Sequence, residues 1–178
     1  MKILQNDELL VRNIHKDDIT LLGKWLSNPK VLEFYEGRDK HFDYEKIDSK
    51  FLDRSDNVNR CIVEYEGNKV GYIQFYTLDH ETKSEYGYKN NELIFGLDQF
   101  IGEVELWNQG IGRKLIQSVT TYLIENHEAD IVVMDPQKSN MRAIKCYEKC
   151  HFIKVKELHQ HELHEGEFRD CYLMEYKV

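Results

Sequence analysis

Proline is nearly missing from this chain, with 2 in 178 residues, and hydrophobic residues make up 41%. That balance excludes a disordered polymer and points to a folded chain. No apolar run approaches the roughly 20 residues that a membrane helix needs, so no membrane partner is expected. The opening Met-Lys-Ile-Leu-Gln-Asn lacks the apolar core of a signal peptide. Cysteine is sparse too. Residues 61, 146, 150 and 171 form no Cys-x-x-Cys and read as reduced, buried, small apolar residues of a cytoplasmic protein. Positive charge is in deficit, 24 Lys and Arg against 32 Asp and Glu, a net charge of −8. A nucleic-acid backbone is therefore not expected as a partner. A cationic small molecule suits the chain better, because an acidic cleft concentrates positive ligands.

What is present suits a single domain spanning residues 1–178 and large enough to bury a core. Leu9–Ile14 alternates as a strand. Asp17 and Asp18 place negative charge at the start of a helix with the stripe Ile19, Leu22, Trp25, Leu26, which Asn28-Pro29 stops. A second helix is expected over Tyr44–Leu52. Cys61–Tyr65 and Val70–Tyr76 flank Glu66–Lys69 as a hairpin. Asp79–Asn91 is polar and reads as an exposed loop. Glu92–Ile101 is strand-like, and Gly110–Asn126 has apolar residues at helical spacing. Asp130–Met134 reads as a short buried strand, Asn140–Cys150 as a helix, and Phe152–Leu158 and Cys171–Tyr176 as two closing strands. The class is α/β (α+β), a mixed, mostly antiparallel sheet of six to seven strands with helices on both faces.

Two segments carry the chemistry. Residues 107–114 read Trp-Asn-Gln-Gly-Ile-Gly-Arg-Lys and run into the apolar-periodic Leu115–Leu123. Two glycines let the backbone turn sharply and approach a ligand. The helix that follows aims unpaired N–H groups and the positive end of its dipole at one spot, which suits a phosphate. Arg113 and Lys114 add charge there. Residues 139–152 read Ser-Asn-Met-Arg-Ala-Ile-Lys-Cys-Tyr-Glu-Lys-Cys-His-Phe. Together the segments resemble the GNAT superfamily of acyl-CoA-dependent N-acetyltransferases. Gly110 and Gly112 match its pyrophosphate loop, with Trp107 where Arg or Gln is usual. Asn140, Ala143, Tyr147, Lys149 and Phe152 match its downstream helix, with His151 in place of a glycine. A histidine tolerates the left-handed conformation that this helix end requires better than most residues do.

Phe95–Gly102, Met134–Pro136 and His161–Gly166 extend the likeness to the aminoglycoside 6'-N-acetyltransferases. Val31–Tyr35 and Asp170–Tyr176 fit the same group. Within it the chain is most similar to the acetyltransferase half of bifunctional acetyltransferase–phosphotransferase resistance enzymes, and no phosphotransferase half is expected after Val178. The resemblance implies the GNAT fold, acetyl-CoA as co-substrate, no metal, and a cationic aminoglycoside as acceptor. It also implies a cofactor site at Phe100, Ile101, Gln109, Gly110, Ile111, Gly112, Arg113, Lys114 and Asn140.

Acetylating an amine requires a held acyl donor, a neutral amine, a stabiliser for the oxyanion and an acid for the departing thiolate. Deprotonating an ammonium of pKa about 9 at pH 7 costs roughly 2.7 kcal/mol. A nearby carboxylate lowers that burden by accepting the proton. Asp98, within an apolar strand-like run, matches the family's carboxylate for this role, either as base or as the group that orients the amine. Tyr147 lies two helical turns after Asn140, on the same face. The family places this tyrosine near the CoA sulfur as general acid. The oxyanion donor carried over from the family is a backbone N–H near Phe100 or Ile101. Asp135, just before Pro136, either binds a substrate ammonium or closes an Asx turn. Gln74 and Tyr76 share one strand face and are expected on the acceptor side, with Tyr35, Glu36 and Glu165 at its acidic rim. His159, His161 and His164 are expected on a solvated loop. The string His-Glu-Leu-His is not the zinc helix spacing. The alternatives are a GNAT enzyme acting on a polyamine or a protein amine, and a non-catalytic acyl-CoA-binding module.

Overall fold

A computed structural model describes residues 1–52 and 55–178. Eight strands and six α-helices are assigned among them. The strands are β1 Lys2–Gln5, β2 Leu9–Asn13, β3 Asn59–Tyr65, β4 Asn68–Thr77, β5 Ile94–Ile101, β6 Ile131–Met134, β7 Ile153–His164 and β8 Glu167–Lys177. The helices are α1 Ile19–Trp25, α2 Pro29–Leu32, α3 Tyr44–Phe51, α4 His80–Tyr86, α5 Ile111–His127 and α6 Met141–Lys149. The sheet order is β1-β2-β3-β4-β5-β6-β8-β7. β5 and β6 run parallel, whereas β1–β2, β2–β3, β6–β8 and β7–β8 are antiparallel. The mixed α/β reading holds, with eight strands rather than six to seven. The added strand is β1, too short and too exposed to show an alternating pattern.

The chain divides into two compact units, Met1–Gln74 with Gln99–Gly112, and Phe75–Asp98 with Arg113–Val178. In the first, the α1 stripe Ile19, Leu22, Trp25 and Leu26 packs with Phe42, Phe51, Tyr72 and Phe100. Fully burying one such large side chain contributes about 1.5–3 kcal/mol. The indole N–H of Trp25 donates to Glu103 at 2.8 Å, so its polar atom is satisfied inside the core. Asp18 is also fully buried. It accepts two bonds from the Arg12 guanidinium, at 2.8 and 2.9 Å, one from Lys69 at 2.6 Å and one from the His15 N–H at 2.8 Å. Burial pushes the Asp18 carboxyl up, but the bonds from Arg12, Lys69 and His15 outweigh it and hold the group well below the carboxylate range.

The second unit has its own core, with Ile94, Ile131, Val133, Leu158, Cys171 and Leu173 buried and Tyr76, Tyr86 and Tyr88 packed against them. Two expectations change here. Residues 80–86 form helix α4, where the polar composition suggested a loop. Its signals are caps rather than a stripe. The Asp79 side chain accepts from Thr82 N–H, and Gly87 closes the helix at φ 88°. Residues 159–164 belong to β7, so the histidines lie on a strand and not on a solvated loop. The β7–β8 turn is Glu165-Gly166, both in the left-handed region. In the first unit, Pro29 starts the short helix α2 as well as stopping α1, because proline suits a first helical position and Asn28 caps it.

Candidate active site

Helix α6 ends as its sequence requires. His151 adopts φ 68°. The Phe152 N–H donates to the Tyr147 carbonyl at 3.0 Å and the His151 N–H to Glu148 at 3.0 Å, a Schellman closure. This fixes Tyr147, which is buried, with its ring 6.4 Å from that of Phe152. At the other end, the Asn140 side chain caps the helix by accepting from Ala143 N–H at 3.3 Å.

The glycine-containing loop of the first unit has Asn108 at φ 63° and Gly110 at φ 85°. A Cβ at Gly110 would meet nothing within 4 Å, so the glycine answers to backbone conformation and not to crowding. Trp107 ties the loop down, its indole N–H donating to the Ile101 carbonyl at 2.7 Å. Gln109 donates from its side chain to the Glu105 carbonyl at 2.9 Å. Helix α5 starts at Ile111, so Ile111, Gly112, Arg113 and Lys114 form its first turn. Their N–H groups lack intrahelical partners by helix geometry.

The second unit holds a cavity of about 180 Å³ lined by Tyr76, Tyr86, Gly96, Val133, Met134 and Asp135, with Thr77–Asp79 and Thr82. Tyr76 crosses directly over Gly96, where a Cβ would come within 2.6 Å of its ring. Only a glycine leaves the tyrosine its place. Burial, then the charges of Asp98 and Asp135, push the Tyr76 hydroxyl far above its ordinary range, and it bonds to Asp98. Tyr76 is thus a fixed donor beside the Asp98 carboxylate. On the other side, Asp135 Oδ2 takes His161 Nε2 at 2.8 Å and the Tyr86 hydroxyl at 3.3 Å. The Tyr86 hydroxyl and His161 Nε2 are 3.2 Å apart, so the three side chains close a triangle. Asp135 raises the His161 imidazole above its ordinary value, chiefly through their hydrogen bond. Burial, then Asp135, holds Tyr86 as a neutral phenol.

The sequence candidates therefore separate. Tyr76, Asp98 and Asp135 come together. Gln74 belongs to the first unit, where its Oε1 accepts from the Tyr72 hydroxyl at 2.8 Å. Tyr35 also lies there, its ring 4.7 Å from Phe100, and Glu36 pairs with Lys50. Glu165 sits in the β7–β8 turn with an oxygen 3.5 Å from His164. Tyr86 and His161 are the partners that sequence reasoning missed. Helix α4 and the long strand β7 deliver them, and neither element has a periodic apolar signal.

A mixed sheet carrying a glycine loop at the head of one helix, a capped helix with a buried tyrosine, and a carboxylate-lined cavity is the architecture of an acyl-CoA-dependent transferase. The chain belongs to the acetyltransferase (GNAT) domain family, whose model matches residues 15–160. Aminoglycoside N(6')-acetyltransferase type 1 of Klebsiella pneumoniae is 25% identical over 150 residues, 83% of this chain and 75% of that protein. The fold is shared with AAC(6')-Ib in complex with ribostamycin and coenzyme A, with TM-score 0.76 and 21% identity over 96% of this chain and 94% of that one. It is shared as well with RimL, the ribosomal L7/L12 alpha-N-protein acetyltransferase in complex with coenzyme A. There the TM-score is 0.81 at 13% identity, covering 100% of this chain and 98% of that one.

Proposed function

We propose that this chain is a single acetyltransferase domain that moves an acetyl group from acetyl-CoA to the 6'-amine of an aminoglycoside. The observation that carries the reading is the second-unit cavity, where Asp135 lines the wall with Tyr76 and Tyr86, and Tyr76 in turn bonds to Asp98. A cavity with Asp135 and tyrosine hydroxyls on its wall, and Asp98 beside Tyr76, suits a sugar that bears several ammonium groups. The likeness to an aminoglycoside N(6')-acetyltransferase across most of both chains supports the same acceptor.

In this reading the first turn of α5 and the loop Gln109–Gly112 hold the CoA pyrophosphate with backbone N–H groups, and Arg113 and Lys114 add charge. Asn140 and the strand backbone at Phe100 and Ile101 complete the cofactor's contacts. Asp98 accepts the ammonium proton or orients the amine, which then attacks the thioester carbonyl. A backbone N–H at Phe100 or Ile101 donates to the oxyanion. Tyr147 protonates the departing thiolate. Asp135 holds a second ammonium beside Tyr86. Acetylation removes one positive charge and one donor from the drug. Losing one charge-assisted hydrogen bond to its target weakens the drug's binding by about 1.5–3 kcal/mol, enough for resistance.

The test is thiol release from acetyl-CoA in the presence of kanamycin or ribostamycin, with the product's acetyl position read by NMR. Thiol release with spermidine or a peptide but not with an aminoglycoside would move the acceptor to a polyamine or a protein amine. Acetyl-CoA binding without turnover on any amine would leave a binding module.

A further inference from the structure

Helix α4 closes one side of the cavity without being built into the core. None of its seven residues is buried, and a helix shorter than about 12–15 residues does not hold by itself in water. Thr82 and Tyr86 nonetheless line the cavity, next to Asp79 at the helix cap. The chain is anchored at either side of this segment. Leu78 is buried, and its N–H donates to the Ile94 carbonyl of β5 at 2.9 Å. Past the left-handed Gly87, the Tyr88 hydroxyl donates to Glu175 of β8 at 2.7 Å. Polar contacts tie down the helix between them. The Lys83 ammonium donates to the Glu92 carbonyl at 2.7 Å, and the Lys156 ammonium of β7 to the Glu85 carbonyl at 2.7 Å. The Tyr86 hydroxyl donates to Asp135 at 3.3 Å and lies 3.2 Å from His161 Nε2. An O–H bond is usually about 2.7–2.8 Å long, so both contacts of this hydroxyl are slack. Few buried apolar contacts and exposed backbone bonds mark a segment that opens locally.

The cavity has need of such an opening. Its volume of about 180 Å³ falls short of the roughly 300–1,000 Å³ of pockets that enclose a drug-sized ligand. The opposite wall is rigid. Gly96 of β5 pairs with Val133 of β6, and Tyr76 lies so close over Gly96 that a Cβ there would come within 2.6 Å of its ring. We propose that α4 is the movable wall of the cavity, and that Tyr86, by latching it to Asp135 and His161, determines which acceptors enter. Latched, the cavity admits one ring-sized group. Unlatched, α4 swings out between Leu78 and Gly87, and a multi-ring acceptor gains access to Asp135. The affinity seen for a large acceptor is its intrinsic affinity reduced by the fraction of molecules that are open. Weakening the latch therefore tightens the binding of large acceptors. The acceptor's identity as an aminoglycoside rests on the function proposed above. The movement of α4 does not.

The first measurement is amide hydrogen exchange of the chain without ligands. Residues 79–88 should exchange at least about tenfold faster than β5 and β6. Tyr86→Phe keeps the ring and removes the hydroxyl. It should speed exchange of 79–88 by about three- to tenfold, the net worth of one hydrogen bond, and leave β5 and β6 unchanged. Lys156→Met removes the tie to β7, acts in the same direction, and serves where Tyr86→Phe fails to fold. The second measurement is acceptor kinetics. In Tyr86→Phe, KM for kanamycin should fall by the factor by which exchange rises, and should fall relative to KM for the single-ring 6-amino-6-deoxyglucose. Exchange of 79–88 as slow as that of β5, or unaltered in both variants, overturns the proposal. So does a kanamycin KM that rises in Tyr86→Phe, because the hydroxyl is then a contact of the bound acceptor and not a latch. If the wild-type chain acetylates no aminoglycoside, the proposed function fails, and the exchange result still decides whether α4 moves.

Discussion

His161 Nε2 and Asp135 Oδ2 are 2.8 Å apart, and each is otherwise turned toward the Tyr86 hydroxyl. Glu85 lies 4.0 Å from the other imidazole nitrogen, and Glu162 adds negative charge nearby. These three charged neighbours of the imidazole, Asp135, Glu85 and Glu162, are all acidic. The folded-state value of His161 is raised above 6.5, so the pair's contribution to stability is complete below about that pH and is lost as pH rises through the raised value.

If Asp135 holds an acceptor ammonium, as proposed, the same titration tunes acceptor affinity. While His161 is charged it neutralises Asp135, and a cationic substrate competes with it. As pH climbs through the raised His161 value the carboxylate is released, so KM for the aminoglycoside should fall. His161→Gln should flatten that part of the KM–pH profile by removing the titrating group, with kcat little changed. An unaltered profile in the variant would separate Asp135 from acceptor binding.

Asp98→Asn should lower kcat by about 10²–10⁴-fold if the carboxylate accepts the proton. It should raise acceptor KM with a smaller loss of kcat if the group only orients the amine. Affinity for coenzyme A stays unchanged in either case. Tyr76→Phe removes the hydroxyl beside Asp98 and should reduce kcat/KM for the acceptor more modestly, by about tenfold, the loss of one charge-assisted bond. Steady-state kinetics with both substrates varied make these measurements.

Gly110→Ala isolates backbone conformation. A Cβ there has open space but must sit at φ 85°, which costs about 1–2 kcal/mol. The loop should shift, raising the Kd for coenzyme A by roughly tenfold, since about 1.4 kcal/mol is one decade. Aminoglycoside affinity should hold. Calorimetry on each ligand alone distinguishes this from general unfolding.

Asp18→Ala should be the most destabilising of these variants. It leaves Arg12 and Lys69 without their shared buried carboxylate, and breaking such a group costs about 3–5 kcal/mol. The Asp18 value is depressed in the folded chain. Its stabilisation is therefore present above the ordinary carboxylate range and drains away as pH falls below about 4. Urea midpoints at pH 7 and pH 3 measure both effects, and a wild-type midpoint that does not drop at pH 3 would remove Asp18 from the account.

The local features were legible from the sequence because their causes are local. The left-handed end of α6 at His151, the glycine turn before α5 and the stripe of α1 each follow from backbone sterics or apolar spacing within a few residues. Asp98 and Tyr76 were singled out separately, and the structure sets them together. Helix α4 escaped because its signal lay in its two caps, Asp79 and Gly87, and not in a periodic face. The histidines of β7 carry no strand signal in the sequence because a strand with outward-facing charge has little apolar alternation.

The amino-acid order alone determined where the chain turns, caps and buries its stripes, and through them the family. Which side chains meet was settled by the tertiary structure. Tyr86, Asp135 and His161 come from α4, the end of β6 and β7, up to 75 residues apart in sequence. Helical and strand periodicity govern neighbours one or two turns away. Strand pairing and helix packing alone bring such distant groups within hydrogen-bond reach.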